Sequence, residues 1–210
     1  FRLREGLNQA TAQKRAVELL DLVGIPEPAR RAKNYPHSLS GGMNQRAMIA
    51  MAIAGNPKLL IADEATTALD VTIQAQILEL LIKLQKEFGM AIVFVTHDLG
   101  TVAEIADQVA VMYAGHVVEK SEVRTLFRQP QHPYTQGLLA SLPRPDKRAD
   151  RLLPIEGTVP ALHELPPGCP FAPRCSVPLP ECHSVRPTLE ATPCGASAAC
   201  HVPQSLSVAS

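Results

Sequence analysis

No stretch of this 210-residue chain is apolar for the roughly 18–20 residues that a membrane-spanning helix needs. The most apolar region, Ala47 to Ala62, is interrupted by Gly55-Asn56-Pro57-Lys58. Residues 1–20 are charged and polar and do not read as a signal peptide. The chain is therefore expected to be soluble, with any membrane role carried by partner subunits. Net charge is also lacking: 20 Lys and Arg balance 20 Asp and Glu, which removes the electrostatic case for a general nucleic-acid binder. There is no internal repeat. No Gly-x-x-x-x-Gly-Lys-Ser/Thr loop occurs, and the nearest glycine pair, Gly41-Gly42, is followed by no Lys-Ser/Thr. The first residue is Phe1, inside a helical pattern, so we expect that residues precede it.

Two residue types are scarce early and plentiful late. Only four of the 19 prolines lie before residue 130, and all five cysteines lie beyond residue 168. This shift predicts a boundary near 128–145, dividing a region 1–128 from an extension 129–210. Before it, helical and strand patterns alternate: helices over 11–23, 41–54, 72–88 and 99–106, and strands over 58–63, 90–96, 108–113 and 116–119. Thr72 is the expected N-cap of the long helix, with Gly89 just past its end. Such alternation predicts an α/β fold with a mainly parallel sheet covered on both faces. After Asp146 the pattern is irregular, too weak to bury a core without a staple.

Chemistry concentrates at three places in the first region. Leu39-Ser-Gly-Gly-Met-Asn-Gln-Arg46 puts a serine and two glycines at a helix start. Ser40 there is either a plain N-cap or part of a phosphate cradle, because unpaired N–H groups and the dipole favour an anion. Each glycine costs roughly 1 kcal/mol against alanine in a helix, which suggests that something bulky must approach the backbone. Leu59-Leu-Ile-Ala-Asp63-Glu64 is an apolar strand ending in two carboxylates, either surface charges or ligands for magnesium and a water. Val93-Phe-Val-Thr-His97-Asp98 ends a second apolar strand in a histidine that is either structural or a sensor.

In this order the motifs resemble the ATP-binding subunits of ABC transporters, a P-loop NTPase-like nucleotide-binding domain, here without its N-terminal Walker A portion. From Tyr35 to His201 the chain is similar to the dipeptide and oligopeptide importer ATPases, through His132-Pro-Tyr-Thr135, Pro154-Ile-Glu-Gly157…Pro160 and Gly168-Cys-Pro-Phe-Ala-Pro-Arg-Cys175. The resemblance implies that Ser40, Gly41, Gly42 and Gln45 form the signature that meets the γ-phosphate of ATP held mainly by an opposing subunit. It implies that Asp63 serves Mg²⁺ and that Glu64 is the general base. Asp70, after Thr66-Thr-Ala-Leu, becomes a contact across the dimer, and His97 the switch residue on the γ-phosphate. Asp98 is left between a role there and a helix cap. One departure is Ala65, where the family usually has proline. Without the phosphate loop, residues 1–210 alone are expected to bind ATP weakly and not turn it over; tight calorimetric binding by that chain would refute this.

The cysteines admit three readings. Disulfides fit the count but not a reducing compartment. A four-thiolate zinc site is chemically sound, yet the close Cys-x₂₋₄-Cys pairs are missing. An iron–sulfur cluster tolerates wider spacing, since its ligands sit on different irons. The family resemblance implies a [4Fe–4S] cluster on Cys169, Cys175, Cys182 and Cys200, with Cys194 spare. It further implies an ATPase on the cytoplasmic face of the cell membrane that energises peptide import. Its partners would be a second ABC ATPase subunit, two membrane permease subunits and, indirectly, an extracytoplasmic solute-binding protein, with no nucleic acid. Nickel chelates, glutathione or another small solute are alternative cargoes. A soluble ATPase of DNA maintenance would need long heptad insertions or basic stripes, and neither occurs.

Overall fold

The computed structural model describes residues 6–66, 69–142 and 155–202. Thr67 and Ala68, the proline break at Pro143–Pro145, and Pro154 lie outside the described residues. The chain forms two compact units, divided between His97 and Asp98.

The first unit holds α1 (Gln9–Leu22), the short α2 (Pro28–Arg31), α3 (Gly41–Ile53), β1 (Leu59–Asp63), α4 (Val71–Phe88) and β2 (Ala91–Val95). Each long helix begins on a side chain that accepts a free backbone N–H: Asn8 for α1, Ser40 for α3 and Asp70 for α4. Asp70 therefore caps the long helix, in place of the expected Thr72; its Oδ1 accepts from the Ile73 N–H at 3.0 Å. Gly89 ends that helix with a left-handed backbone, φ 61°, which a glycine adopts without penalty.

β1 and β2 pair in parallel, Leu60 opposite Ile92 and Ala62 opposite Phe94. Those four side chains face inward, the first pair joining a core with Ile49, Ile53, Ile77, Leu81 and Leu84. Burying each such aliphatic side chain contributes about 1.5–3 kcal/mol relative to leaving it exposed. Arg46 ties the layers, its guanidinium donating to the Val23 carbonyl at 2.6 Å and to the Gln76 side chain at 3.2 Å.

One expectation changes here. Among the described residues the parallel sheet has two strands, and only one face is covered. Leu59, Ile61, Val93 and Val95, set on the other face by the period of two, are exposed. In α3, Ile49, Ala50 and Ile53 are buried but Met48 and Met51 are exposed, because the helix turns a single stripe to the core.

The second unit opens with α5 (Leu99–Ile105), then β3 (Gln108–Tyr113) and β4 (His116–Glu122), an antiparallel hairpin turned at Ala114-Gly115. Both turn residues have positive φ, 47° and 81°, as a two-residue hairpin of this hand requires. β4 runs three residues beyond the expected edge strand and passes straight into α6 (Val123–Arg128), which the sequence did not announce. α7 (Pro133–Ala140) follows, capped by His132. Among the described residues beyond it are 3₁₀ turns and two two-residue strands, β5 (Glu190–Ala191) and β6 (Ser197–Ala198). These complete a four-stranded sheet in the order β3-β4-β6-β5. That pairing binds the cysteine-bearing segment to the hairpin, so residues on both sides of position 128 share one unit.

Candidate functional site

In the first unit, β1 ends at Asp63 and the next residue leaves extended geometry: Glu64 has φ 46°. A non-glycine residue in that region is uncommon, and such conformations gather where a side chain must be re-aimed. The Glu64 N–H still donates to the Val95 carbonyl at 3.0 Å, keeping the turn fastened to the end of β2. The result answers a problem in the sequence. Adjacent strand residues point to opposite faces, but the left-handed step frees Glu64 from that alternation. Its Oε1 comes to 3.5 Å from His97 Nδ1, two residues beyond β2. Both side chains are open to solvent, so carboxylate and imidazole stand together at the carboxyl ends of two parallel strands, where an open α/β sheet presents groups to ligands.

The Ser40 motif lies at the start of α3. Ser40 Oγ accepts from the Met43 N–H at 3.3 Å, so the capping role is present. Gly42 has a packing reason as well: a Cβ there would stand 3.0 Å from Ile73 Cγ2, on the first turn of α4. A Cβ on Gly41 would lie 3.8 Å from Leu69. The glycines thus let the Ser40 and Asp70 helix starts sit side by side. Gln45 is half-buried on α3. Asp98 caps α5, accepting from the Gly100 N–H at 2.9 Å and the Thr101 hydroxyl at 2.6 Å, so the capping alternative for it is met.

In the second unit, Cys169, Cys175, Cys182 and Cys200 line one cavity of about 20 Å³ together with His132 and Phe171. The backbone makes that convergence possible at Gly168, where a Cβ would fall 2.3 Å from the Cys182 carbonyl oxygen. Only glycine lets the two segments pass so closely, and the Cys169 N–H then donates to that oxygen at 2.8 Å. All five cysteines are free thiols. Burial pushes the acidities of Cys169 and Cys175 down, raising their pKa values, and nearby thiols add to the effect. Cys200 is raised to about 11, again first by burial and then by Cys169, Cys175 and Cys182. Among the described residues no three His, Cys, Asp or Glu side chains stand in a metal-holding arrangement. Cys194 is not on this cavity; it lies in the β5–β6 turn, 3.2 Å from the Thr192 hydroxyl.

Sequence reasoning passed over the scaffold of this second cluster. Glu119 on β4 is fully buried, and its two carboxylate oxygens accept from the Gln131 and His132 N–H groups, both at 2.8 Å. A charged residue in a short edge strand reads as solvent-facing, and only the tertiary partner reveals otherwise. Arg174 donates to the Ile155 and Glu156 carbonyls at 3.0 and 2.9 Å, clasping that segment, and lies over the Tyr113 ring.

Comparison with known proteins gives consistent results. A family model described as ABC transporter matches residues 2–67, and one described as oligopeptide/dipeptide transporter, C-terminal region, matches residues 118–182. A Brucella melitensis protein provisionally named as a peptide import ATP-binding protein is 58% identical over 90% of this chain and 58% of its own length. The dipeptide transport ATP-binding protein DppD of Escherichia coli K12 is 52% identical over 97% of this chain and 62% of its own. The chain thus spans about three-fifths of the length of the curated relatives it matches. Among solved structures, the dimeric ATP-binding cassette MJ0796, in a post-hydrolysis state bound to ADP and Pi, superposes with a TM-score of 0.50. It is 36% identical over 58% of this chain and 51% of that one.

Proposed function

Since the chain belongs to the ABC transporter ATPases and carries the C-terminal region of oligopeptide and dipeptide transporters, we propose that the complete protein hydrolyses ATP to energise import of di- or oligopeptides. The observation that carries this reading is the approach of Glu64 to His97 at 3.5 Å, at the ends of two parallel strands. A carboxylate there can take a proton from an attacking water, while the imidazole N–H can hydrogen-bond a terminal phosphate. Asp63, on the last strand position, would hold Mg²⁺ through its carboxylate. Ser40, Gly41, Gly42 and Gln45 would meet the nucleotide of a facing ATPase subunit, with Asp70 at the seam between the two. Both helix starts are compatible with that use because they lie together and their caps are short polar side chains.

The partners in this reading are a second ABC ATPase, two membrane permeases and an extracytoplasmic binding protein, and the place of action is the cytoplasmic face of the membrane. No helix among the described residues is long and apolar enough to cross a membrane, so permeation would run through the permeases. The four thiols on one cavity match an iron–sulfur cluster in donor number and donor type, although they would have to move to reach a metal-holding arrangement. Cys169, Cys175, Cys182 and Cys200 would be the ligands once their protons are released. A bound cluster would supply a cross-link between turns that otherwise have little apolar core. Zinc is the alternative occupant of the same thiols, and metal analysis of anaerobically purified protein separates the two.

The transport reading is tested by uptake of a radiolabelled dipeptide in cells whose only copy of the full-length gene carries Glu64→Gln. Uptake is expected to be lost. Undiminished uptake would contradict the reading, and loss of nickel-chelate or glutathione uptake instead would reassign the cargo.

A further inference from the structure

Tyr35 is 72% exposed, in the loop that leads into the Ser40 helix start. A tyrosine ordinarily lays its apolar ring against neighbours and leaves only the hydroxyl in water. Here the ring stacks on the imidazole of His37, itself exposed, with centroids 5.6 Å apart and planes 7° from parallel. That is offset stacking, and it leaves an outer π face open to solvent.

The pair is fixed by the backbone between its two members. Pro36 opens a 3₁₀ turn, Pro36–Ser38. The Tyr35 carbonyl accepts from the Ser38 N–H at 2.9 Å and from the Ser38 hydroxyl at 2.8 Å. The Pro36 carbonyl accepts from the Leu39 N–H at 3.1 Å and from the Asn44 side chain at 3.0 Å. Asn44 belongs to α3, so the turn is tied to the same helix whose start carries Ser40, Gly41 and Gly42. An extended chain rises at most about 3.6 Å per residue, so Tyr35 lies within about 18 Å of Ser40, and the tight turn brings it closer. Charge agrees with this placement. No Asp or Glu lies between Glu27 and Asp63, whereas Arg30, Arg31, Lys33 and Arg46 do, which is the sign a triphosphate needs.

A nucleoside triphosphate that offers its terminal phosphate to Ser40 carries its base beyond two further phosphates and a ribose. A bare aromatic face set back from the phosphate cradle is the chemistry that receives such a base. We propose that the Tyr35–His37 pair is a stacking platform for the base of the nucleotide whose terminal phosphate meets Ser40. This rests on the nucleotide reading above, and it adds a determinant of base preference acting across the seam from the subunit that holds most of the ATP.

The test uses the assembled transporter containing the full-length protein, with hydrolysis followed as phosphate release. Tyr35→Leu keeps apolar bulk without the π face, and Tyr35→Phe keeps the face without the hydroxyl. Tyr35→Leu should raise KM for ATP about tenfold with kcat and melting temperature unchanged. It should also narrow the advantage of ATP over CTP, because a purine offers the larger stacking face. Tyr35→Phe should keep KM within about twofold of the wild type. A Leu variant with the wild-type KM overturns the proposal, and loss of peptide uptake in that variant would assign the ring to a protein contact instead. A Phe variant shifted as far as Leu, or a KM shift accompanied by a lower melting temperature, overturns it as well. A wild-type complex that does not hydrolyse ATP overturns the nucleotide reading itself, and is recognised before any variant is compared.

Discussion

The two units place their chemistry in opposite environments. In the first, an aliphatic core of Ile49, Ile53, Ile77, Leu81 and Leu84 is filled by structure alone, and the reactive groups stand outside it. Glu64 and His97 are solvent-exposed. In the second, Cys169, Cys175 and Cys182 are part of the core, packed with Tyr113, Phe171 and Leu126. In the proposed reading, a site on the surface of one unit gains its dry environment only when another surface closes on it. A site inside a unit has that environment already, but must meet a cation or release protons before it can bind. The first arrangement suits a nucleotide that comes and goes, and the second suits a resident group.

The first expected effect tests the surface site. His97→Ala in the full-length protein should lower ATP hydrolysis by on the order of 10²-fold, measured as phosphate release, with the melting temperature unchanged. A parallel loss of stability would mean that the imidazole belongs to the fold. Next is the interior site. With Cys200 raised to about 11 from an ordinary 9.0, its thiolate fraction at pH 8 is depressed about 100-fold. Iodoacetamide should therefore label Cys200 of metal-free native protein about 100 times more slowly than in the denatured chain. The direction follows from the sign: a raised thiol pKa withholds the nucleophile at every pH below about 11. Equal rates would place Cys200 outside the cavity.

Smaller effects separate the two cores. Leu84 is fully buried, and Leu84→Ala should cost about 2–5 kcal/mol in denaturant unfolding. It should leave the slow labelling of Cys200 intact if the units are as distinct as their cores. Asp70→Ala removes the cap on Ile73 and should cost about 1 kcal/mol.

What could be read from the sequence follows the same division. The first unit announced itself because its information is local. Period, caps and glycine stops gave α3, β1, α4 and β2 to within two residues at each end, and two strand ends gave Glu64 and His97. What escaped was set by tertiary geometry. The left-handed turn that aims Glu64 has no local signal in Glu64-Ala65, which lacks the proline usual in the family. Gly42 reads as a phosphate approach, yet Ile73 already requires the space. In the second unit the cysteine spacing left three readings open, and nothing in it told what gathers four of the thiols on one cavity. Glu119 lies 12 and 13 residues from the amides it accepts, and β6 returns to β4 across about 80 residues, distances over which pattern reading is blind.

The account depends most on Glu64 being the base at a nucleotide that the complete protein binds. The direct measurement is ATP binding and single-turnover hydrolysis by full-length Glu64→Gln. Nucleotide should bind as tightly as in the wild type while γ-phosphate cleavage falls by about 10²–10⁴-fold. Cleavage at the wild-type rate would contradict it.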